Sequence, residues 1–354
     1  MKIIINDVRI NKDFRGLTFS KFKKDKVKKE LMNSIYFSKI EQSLYWCAEL
    51  ICSGHFLDIW DIIFIHISKN IHIANPKLSI YISLRIDNFK DIICQEQYIN
   101  NELELRNNEI IRNIFSEIIL ILCFSNKSTS IEYLKINNDT EFNIINISEK
   151  LKATTSKFAN NIYKQGDPKC LFIAINELSY TIYIKDVINS YYWFEWILNY
   201  NSLCKKKKNI INCVKREFPI VQDKYKKNII WLIWDVILYY SKFKKKIIRI
   251  VINSLLKMFC LKYNNSFDKK RKSIIYFSIL LLTEDNINFD LDILNNKKKI
   301  NNIIQNIDNT FNELKKNEIY SNDIKDDENL NKNKTFEKLE LMKKYDIFFN
   351  PLDI

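Results

Sequence analysis

Glycine and proline are scarce in this chain, which holds three Gly and four Pro in 354 residues. Tight turns, β-bulges and glycine-rich loops have few places to form, which argues against sandwiches, barrels and nucleotide folds built on Gly turns. Helices remain. Gly16, Gly54 and Gly166 stand far apart and none opens a G-x-x-x-x-G-K-[ST] loop, so a P-loop ATPase is excluded. Long apolar runs are missing as well. The longest, residues 114–124, 229–240 (broken by Asp235) and 273–282, fall well short of the ~20 residues that cross a bilayer, and no membrane span is expected. Residues 1–10 hold no apolar core followed by a small-residue cleavage site, and the eight Cys are irregularly spaced. We therefore expect an intracellular protein of a reducing compartment, cytoplasmic or nuclear, and not a secreted one.

What is present is a large apolar fraction, 47% of the chain, enough to bury a core in one large or two packed helical domains. The fold class expected is mainly α, a multi-helix bundle ending in a polar, partly disordered C-terminal segment. The net charge is +14, and the excess is local. Residues 199–275 carry 20 Lys or Arg against 4 acids, a balance of +16, while residues 40–198 balance to −5 and those after 275 to −4. Asn, Ile and Lys are abundant enough to indicate A+T-rich coding DNA, a bias that would raise lysine everywhere. It does not explain an excess confined to one segment. An anionic partner does.

Four regions follow from composition: a basic N-terminal arm over 1–39, a helical domain over 40–149, a basic helical domain over 150–294, and a polar tail with an apolar C-terminal peptide over 295–354. The arm opens with a strand-like stretch (Lys2 to Ile5, Val8, Ile10) and continues into the basic run 21–29. Apolar spacing predicts one helix through Leu44, Cys47, Ala48 and Ile51 and another through Phe56, Ile59, Trp60, Ile63, Phe64 and Ile67, with Ser53-Gly54 as the break. Asn75-Pro76 and Asp167-Pro168 each read as an N-cap followed by Pro at the first helical position, the second opening a helix over 169–184. Residues 110–124 read as a buried helix. Residues 126–149 read as an irregular connection with a candidate hairpin, and a domain seam is expected near Glu149. Further helices are expected near 187–200, 226–240, 247–262 and 272–282, and 321–334 is composed like a disordered linker.

Trp193 with Trp196, and Trp231 with Trp234, are spaced i, i+3, so each pair shares a helix face. A base-stacking platform is one reading. Core packing is favoured, because Ile230, Leu232, Ile233 and Val236 surround one pair with buried-helix chemistry. No metal site is expected: Cys47 and Cys52 lie about 140° apart around a helix, and His66 and His72, six apart, miss the i, i+4 geometry of a shared helical site. Cys204 and Cys213 bracket lysines that would lower a thiol pKa. No catalytic residue and no cofactor is assigned. Asp58, Asp61, Glu195 and Asp235 are the acids nearest aromatic helices, but no D-x-D, E-x-K or H-x-x-x-D pattern in a strand-and-turn context marks a nuclease, and no nucleophile elbow occurs. Those acids are expected to pair with Lys or Arg at helix ends.

The basic runs are Lys205, Lys206, Lys207 and Lys208; Lys215 and Arg216; Lys224, Lys226 and Lys227; Lys242, Lys244, Lys245, Lys246 and Arg249; and Lys269, Lys270, Arg271 and Lys272. They alternate with apolar helical stretches, so they fall at helix ends. In an antiparallel bundle with short connections, alternate runs emerge at the same end and their charge can sum into one patch. Lysine-rich runs suit phosphate contact more than base-edge reading, so sequence-independent binding of nucleic acid, DNA favoured, or of another polyanion is expected. At the far end of the chain, Tyr345, Phe348 and Phe349 resemble a degenerate sliding-clamp-binding peptide, with Met342 where such peptides carry glutamine. A tail that docks on its own core is the favoured alternative.

One local likeness concerns Ser43-Leu44-Tyr45-Trp46-Cys47-Ala48 leading to Gly54, with Ile71-His72-Ile73-Ala74-Asn75-Pro76 downstream. This stretch, residues 42–76, resembles the helical C-terminal region of clamp-loader-related AAA+ ATPases of the replication-associated recombination protein A family. The resemblance implies helices that hold subunits together beside DNA. The family's arginine pair is replaced here by Ile62-Ile63. The Asn/Ile/Lys-rich, Trp-bearing helical style is similar to that of uncharacterised proteins encoded by nucleocytoplasmic large DNA viruses. The sequence therefore leads us to expect a non-enzymatic, sequence-independent nucleic-acid-binding protein of DNA replication, repair or packaging. The alternative is a scaffold or homo-oligomer subunit meeting an acidic protein.

Overall fold

Fourteen α-helices build the described part of the chain, residues 3–98, 101–137, 140–218, 221–293 and 296–320 of a computed structural model. In order they are α1 (Lys24–Tyr36), α2 (Ile40–Cys52), α3 (Phe56–Ile65), α4 (Leu78–Ile93), α5 (Glu109–Phe124), α6 (Ile144–Lys150), α7 (Phe172–Tyr183), α8 (Val187–Lys206), α9 (Ile230–Ser241), α10 (Lys246–Cys260), α11 (Phe267–Lys270), α12 (Lys272–Thr283), α13 (Lys297–Gln305) and α14 (Ile307–Lys315). Among the described residues β pairing is limited to one isolated bridge, Leu17 to Lys23. The mainly helical class expected from the scarcity of Gly and Pro is what the structure shows.

In the first half α1, α2, α3 and α5 pack on one another and α4 lies on α5. In the second half α12 is central, touching α7, α8, α9 and α10 and reaching across to α3. Only Lys272 and Leu280 of α12 escape burial, as befits a helix apolar all round. Its hydroxyls are satisfied locally or across the core: Ser278 donates to the Ile274 carbonyl at 2.8 Å, and Ser273 meets Ser68 at 2.7 Å. With α10 lying against α4, one apolar core runs through both halves, across the seam expected near Glu149.

Helix ends show how the chain manages with so little glycine. Gly54, at φ +71°, closes α2 at the break the sequence indicates, its N–H bonding the Ile51 carbonyl while the His55 N–H reaches back to Leu50. The same closure follows α1, α7 and α8, but there Ser38, Lys185 and Lys208 take the left-handed position at φ 57°, 63° and 59°. A side chain in that region costs roughly 1 kcal/mol.

Several expectations are corrected. Residues 3–39 are not an arm: Ile5, Phe14 and Phe19 are buried, and the Asp7 carboxylate is clasped by Arg9 at 2.6 Å and by the Ile319 N–H at 2.9 Å. Burial alone would raise the Asp7 pKa, but these donors hold it below the usual carboxylate range. No strand forms here because the amides are already taken, Ile5 by the Asn107 side chain, Asn6 by Glu318 and Val8 by the Ile319 carbonyl. Residues 296–320 are not a polar tail but carry α13 and α14. Ile300, Ile307, Phe311 and Leu314 form a buried stripe that seats α13 on α5 and α14 on α2. Residues 321–354, including the linker and Tyr345, Phe348 and Phe349, lie outside the described residues.

Neither Asn-Pro nor Asp-Pro starts a helix in the expected way. α4 begins at Leu78, and Asn75 turns its amide toward the Asp292 carbonyl instead. After Pro168 the chain makes a 3-10 turn, Lys169–Leu171, before α7, because the Asp167 carboxylate is occupied by Arg216.

Candidate nucleic-acid interface

α9 and α10 form a hairpin through the turn at 242–245, so the start of α9 and the end of α10 share one end of the bundle. α9 has 12 residues, which at 1.5 Å each puts the turn about 18 Å away. At the first end the Asn228 amide ties α9 to the segment after α10, donating to the Tyr263 hydroxyl at 2.9 Å and to Asp268 at 2.8 Å. Burial raises the Asp268 pKa, partly offset by Tyr263, Asn228 and the nearby charges of Lys205 and Lys269. The end of α8 and the start of α12 are thereby placed beside the start of α9. Arg216 joins them through its N–H to the Lys226 carbonyl. Four of the five basic runs therefore meet at one end, and the run 242–249 stands at the other.

Six of the sixteen cations named in the sequence as candidate contacts are consumed by carboxylates. Arg216 forms a two-pronged pair with Asp167, both bonds 2.7 Å, and a third bond to Asp235 at 2.7 Å. The Asp167 pKa, which burial alone would raise, is held down by Arg216 and by the Lys164 and Val214 amides. Arg271 grips Asp61 at 2.7 Å and donates to the Met258, Phe259 and Leu261 carbonyls, so it caps the C-terminus of α10. Lys272 meets the buried Glu195 at 2.6 Å, and the Tyr276 hydroxyl joins the same oxygen at 2.8 Å. Lys215 and Lys226 share Glu217 and Asp223, and Lys244 lies 3.6 Å from Asp285. Arg216, Arg271 and Lys272 hold the fold together, whereas Lys215, Lys226 and Lys244 pair with exposed carboxylates at the surface.

The other ten are exposed and make no ion pair with a described residue: Lys205, Lys206, Lys207, Lys208, Lys227, Lys245, Lys246, Arg249, Lys269 and Lys270. Lys224, also exposed and free of an ion pair, sits over the Tyr225 ring. Eight of these lysines, 205–208, 224, 227, 269 and 270, belong to the one end. Lys205 and Lys206 lie in the last turn of α8, where a cation suits the helix macrodipole. Lys269 and Lys270 likewise form the last turn of the short α11, and Lys224 lies in the 3-10 turn before α9. Lys227 instead precedes the N-terminus of α9, whose first turn holds no acid, and a cation there opposes the macrodipole.

The remaining candidates have structural roles. Trp193, Trp231 and Trp234 are buried outright and Trp196 nearly so, its N–H donating to the Glu141 carbonyl. Core packing is thus the role of both tryptophan pairs. Asp58 bonds Lys24 and Lys28, Asp61 bonds Arg271, Glu195 bonds Lys272 and Asp235 bonds Arg216. Lysines do not activate the thiols: burial raises Cys204 and pushes Cys213 up to about 12. His55, His66 and His72 each meet a separate partner, Leu17, Asn70 and Thr129. Among the described residues no group of three or more His, Cys, Asp or Glu could hold a metal ion, and no helix is long and apolar enough to cross a membrane.

No protein-family model matches the chain, and no curated protein or solved structure matches it either.

Proposed function

We propose that this protein binds nucleic acid, DNA foremost, through the phosphate backbone and without sequence selection, at the end where α8 stops and α9 and α12 start. One observation carries the reading. Eight lysines gather there, exposed and without an ion pair to any described carboxylate. Lysine supplies a point charge rather than a base-reading fork. The protein acts by binding and not by turnover, a reading supported by the four acids nearest the aromatic helices being engaged in ion pairs. A setting in replication, repair or packaging rests on the resemblance of residues 42–76. An intracellular location is supported by eight free cysteines, six of them buried.

Fluorescence anisotropy with labelled duplex and single-stranded oligonucleotides at 50 and 200 mM salt, concentrations about those over which phosphate contacts lose most of their affinity, tests the proposal. Binding in the micromolar range or tighter that weakens steeply with salt is expected. Absence of binding at the lower salt, together with a defined oligomer in light scattering, would favour a scaffold that meets an acidic protein.

A further inference from the structure

The opposite end of the α9–α10 hairpin holds a cleft of about 790 Å³. That volume lies within the range of small-molecule sites, which is about 300–1,000 Å³. Two aromatic walls face it. Phe158 and Tyr183, with ring centroids 5.5 Å apart, come from the segment before α7 and from the end of α7. Tyr239 and Tyr240 come from the end of α9 and Phe243 from the turn after it, Tyr239 lying 5.2 Å from Tyr240 and 5.4 Å from Phe243. The walls are close to each other: Asn161 on the first side donates to the Tyr239 hydroxyl at 2.8 Å. Phe243 is 70% exposed and Tyr183 63%, so both rings are open to a ligand entering the cleft.

Cations stand on the rim. Lys185 and Lys244 converge on Asp285, so that carboxylate is already satisfied twice over. Lys157 and Lys245 line the same cleft and make no ion pair with a described acid. Lys245 and Lys246 begin α10, whose first turn holds no acid and whose N-cap makes no side-chain bond, so cationic charge collects where the macrodipole disfavours it. An anion placed there would relieve that repulsion. A flat ring between two aromatic walls would bury the exposed rings.

We propose that this cleft binds one nucleotide unit, a planar base inserted beside Tyr183 and Phe243 with its phosphate against Lys245 and Lys157. Free nucleotide and an unpaired base within a strand share this chemistry. The site stands about 18 Å from the lysine-rich end along α9 and does not rest on it. Both could act on one strand.

Titration calorimetry on the full chain, with AMP, adenosine, inorganic phosphate and a short oligo-dA as separate titrants, tests the assignment. AMP is expected to bind more tightly than adenosine or phosphate, and Phe243→Ala and Lys245→Ala, both at exposed positions, to weaken it about tenfold each. Replacing Lys205, Lys206, Lys207 and Lys208 by Gln should leave AMP binding unchanged. Oligo-dA binding that is lost with Phe243→Ala, without measurable AMP binding, would assign the site to a base within a strand. The proposal is overturned if neither titrant responds to Phe243→Ala, or if phosphate alone binds as well as AMP. A lysine-rich end that fails to bind DNA would leave it standing.

Discussion

Arg216 and Lys206 lie ten positions apart in the same basic segment, carry the same charge, and meet opposite fates. Arg216 is buried with three bonds to two carboxylates, while Lys206 is exposed with none. The same division separates Arg271 from Lys269 and Lys270. A cation that serves the fold is matched to an acid brought from far along the chain, Asp167 or Asp61. The exposed cations stand at helix ends and make no ion pair with a described acid. Formal charge therefore says little about function until the carboxylates are placed.

The sharpest way to break this division is to delete one cation from each side of it. Arg216→Met leaves Asp167 buried and unpaired and is expected to cost about 3–5 kcal/mol of stability in urea unfolding, whereas Lys206→Met should change it by less than about 0.5 kcal/mol. Comparable losses from the two variants would dissolve the distinction.

A second test uses the interior's intolerance of new charge. Burial, with Lys127 nearby, lowers the His66 pKa to about 3 from 6.5. Between those values the unfolded chain binds a proton that the folded one does not, so stability present above pH 6.5 is lost as pH falls toward 3. From pH 7 to pH 5 the loss assigned to His66 is about 2 kcal/mol, at 1.36 kcal/mol per pKa unit. His55 and His72 are also held low by burial and act in the same sense. The contribution of His66 is therefore read as the difference between wild type and His66→Gln across that window. Parallel pH profiles would contradict it.

A smaller effect separates fold from function within a single residue. Lys208 occupies the left-handed position that closes α8. Lys208→Gly should raise stability by about 1 kcal/mol while weakening DNA binding severalfold. A variant stabilised with DNA affinity intact would remove Lys208 from the interface.

Much of the fold is legible in the chain, and the reasons are local. Gly54 marks a helix end because few other residues take its backbone conformation freely, and the continuous apolarity of 273–282 announces a helix buried on all sides. Long-range pairing is not legible in this way. Asp167 before Pro168 follows the rule for an N-cap, but a guanidinium 49 residues later in the chain offers two charge-assisted bonds and wins. The stripe of Ile300, Ile307, Phe311 and Leu314 is hidden among Asn and Lys. One available signal concerned arginine. In a composition that inflates lysine, the three arginines of the basic segment stand out against the bias, and two of them, Arg216 and Arg271, are its buried cations with several bonds each, while Arg249 is exposed. The half-buried Tyr239 and Tyr240 read as the end of an apolar helix until Phe158 and the end of α7 bring the other wall of their cleft.

The salt dependence of duplex binding tests the central claim most directly. The logarithm of the binding constant should fall linearly with the logarithm of salt concentration, with a slope of about −0.9 for each phosphate neutralised. Replacing Lys205, Lys206, Lys207 and Lys208 by Gln is expected to make that slope shallower by about 3 to 4 units at unchanged thermal stability. An unchanged slope, or a wild-type protein that ignores DNA at low salt, would contradict the account.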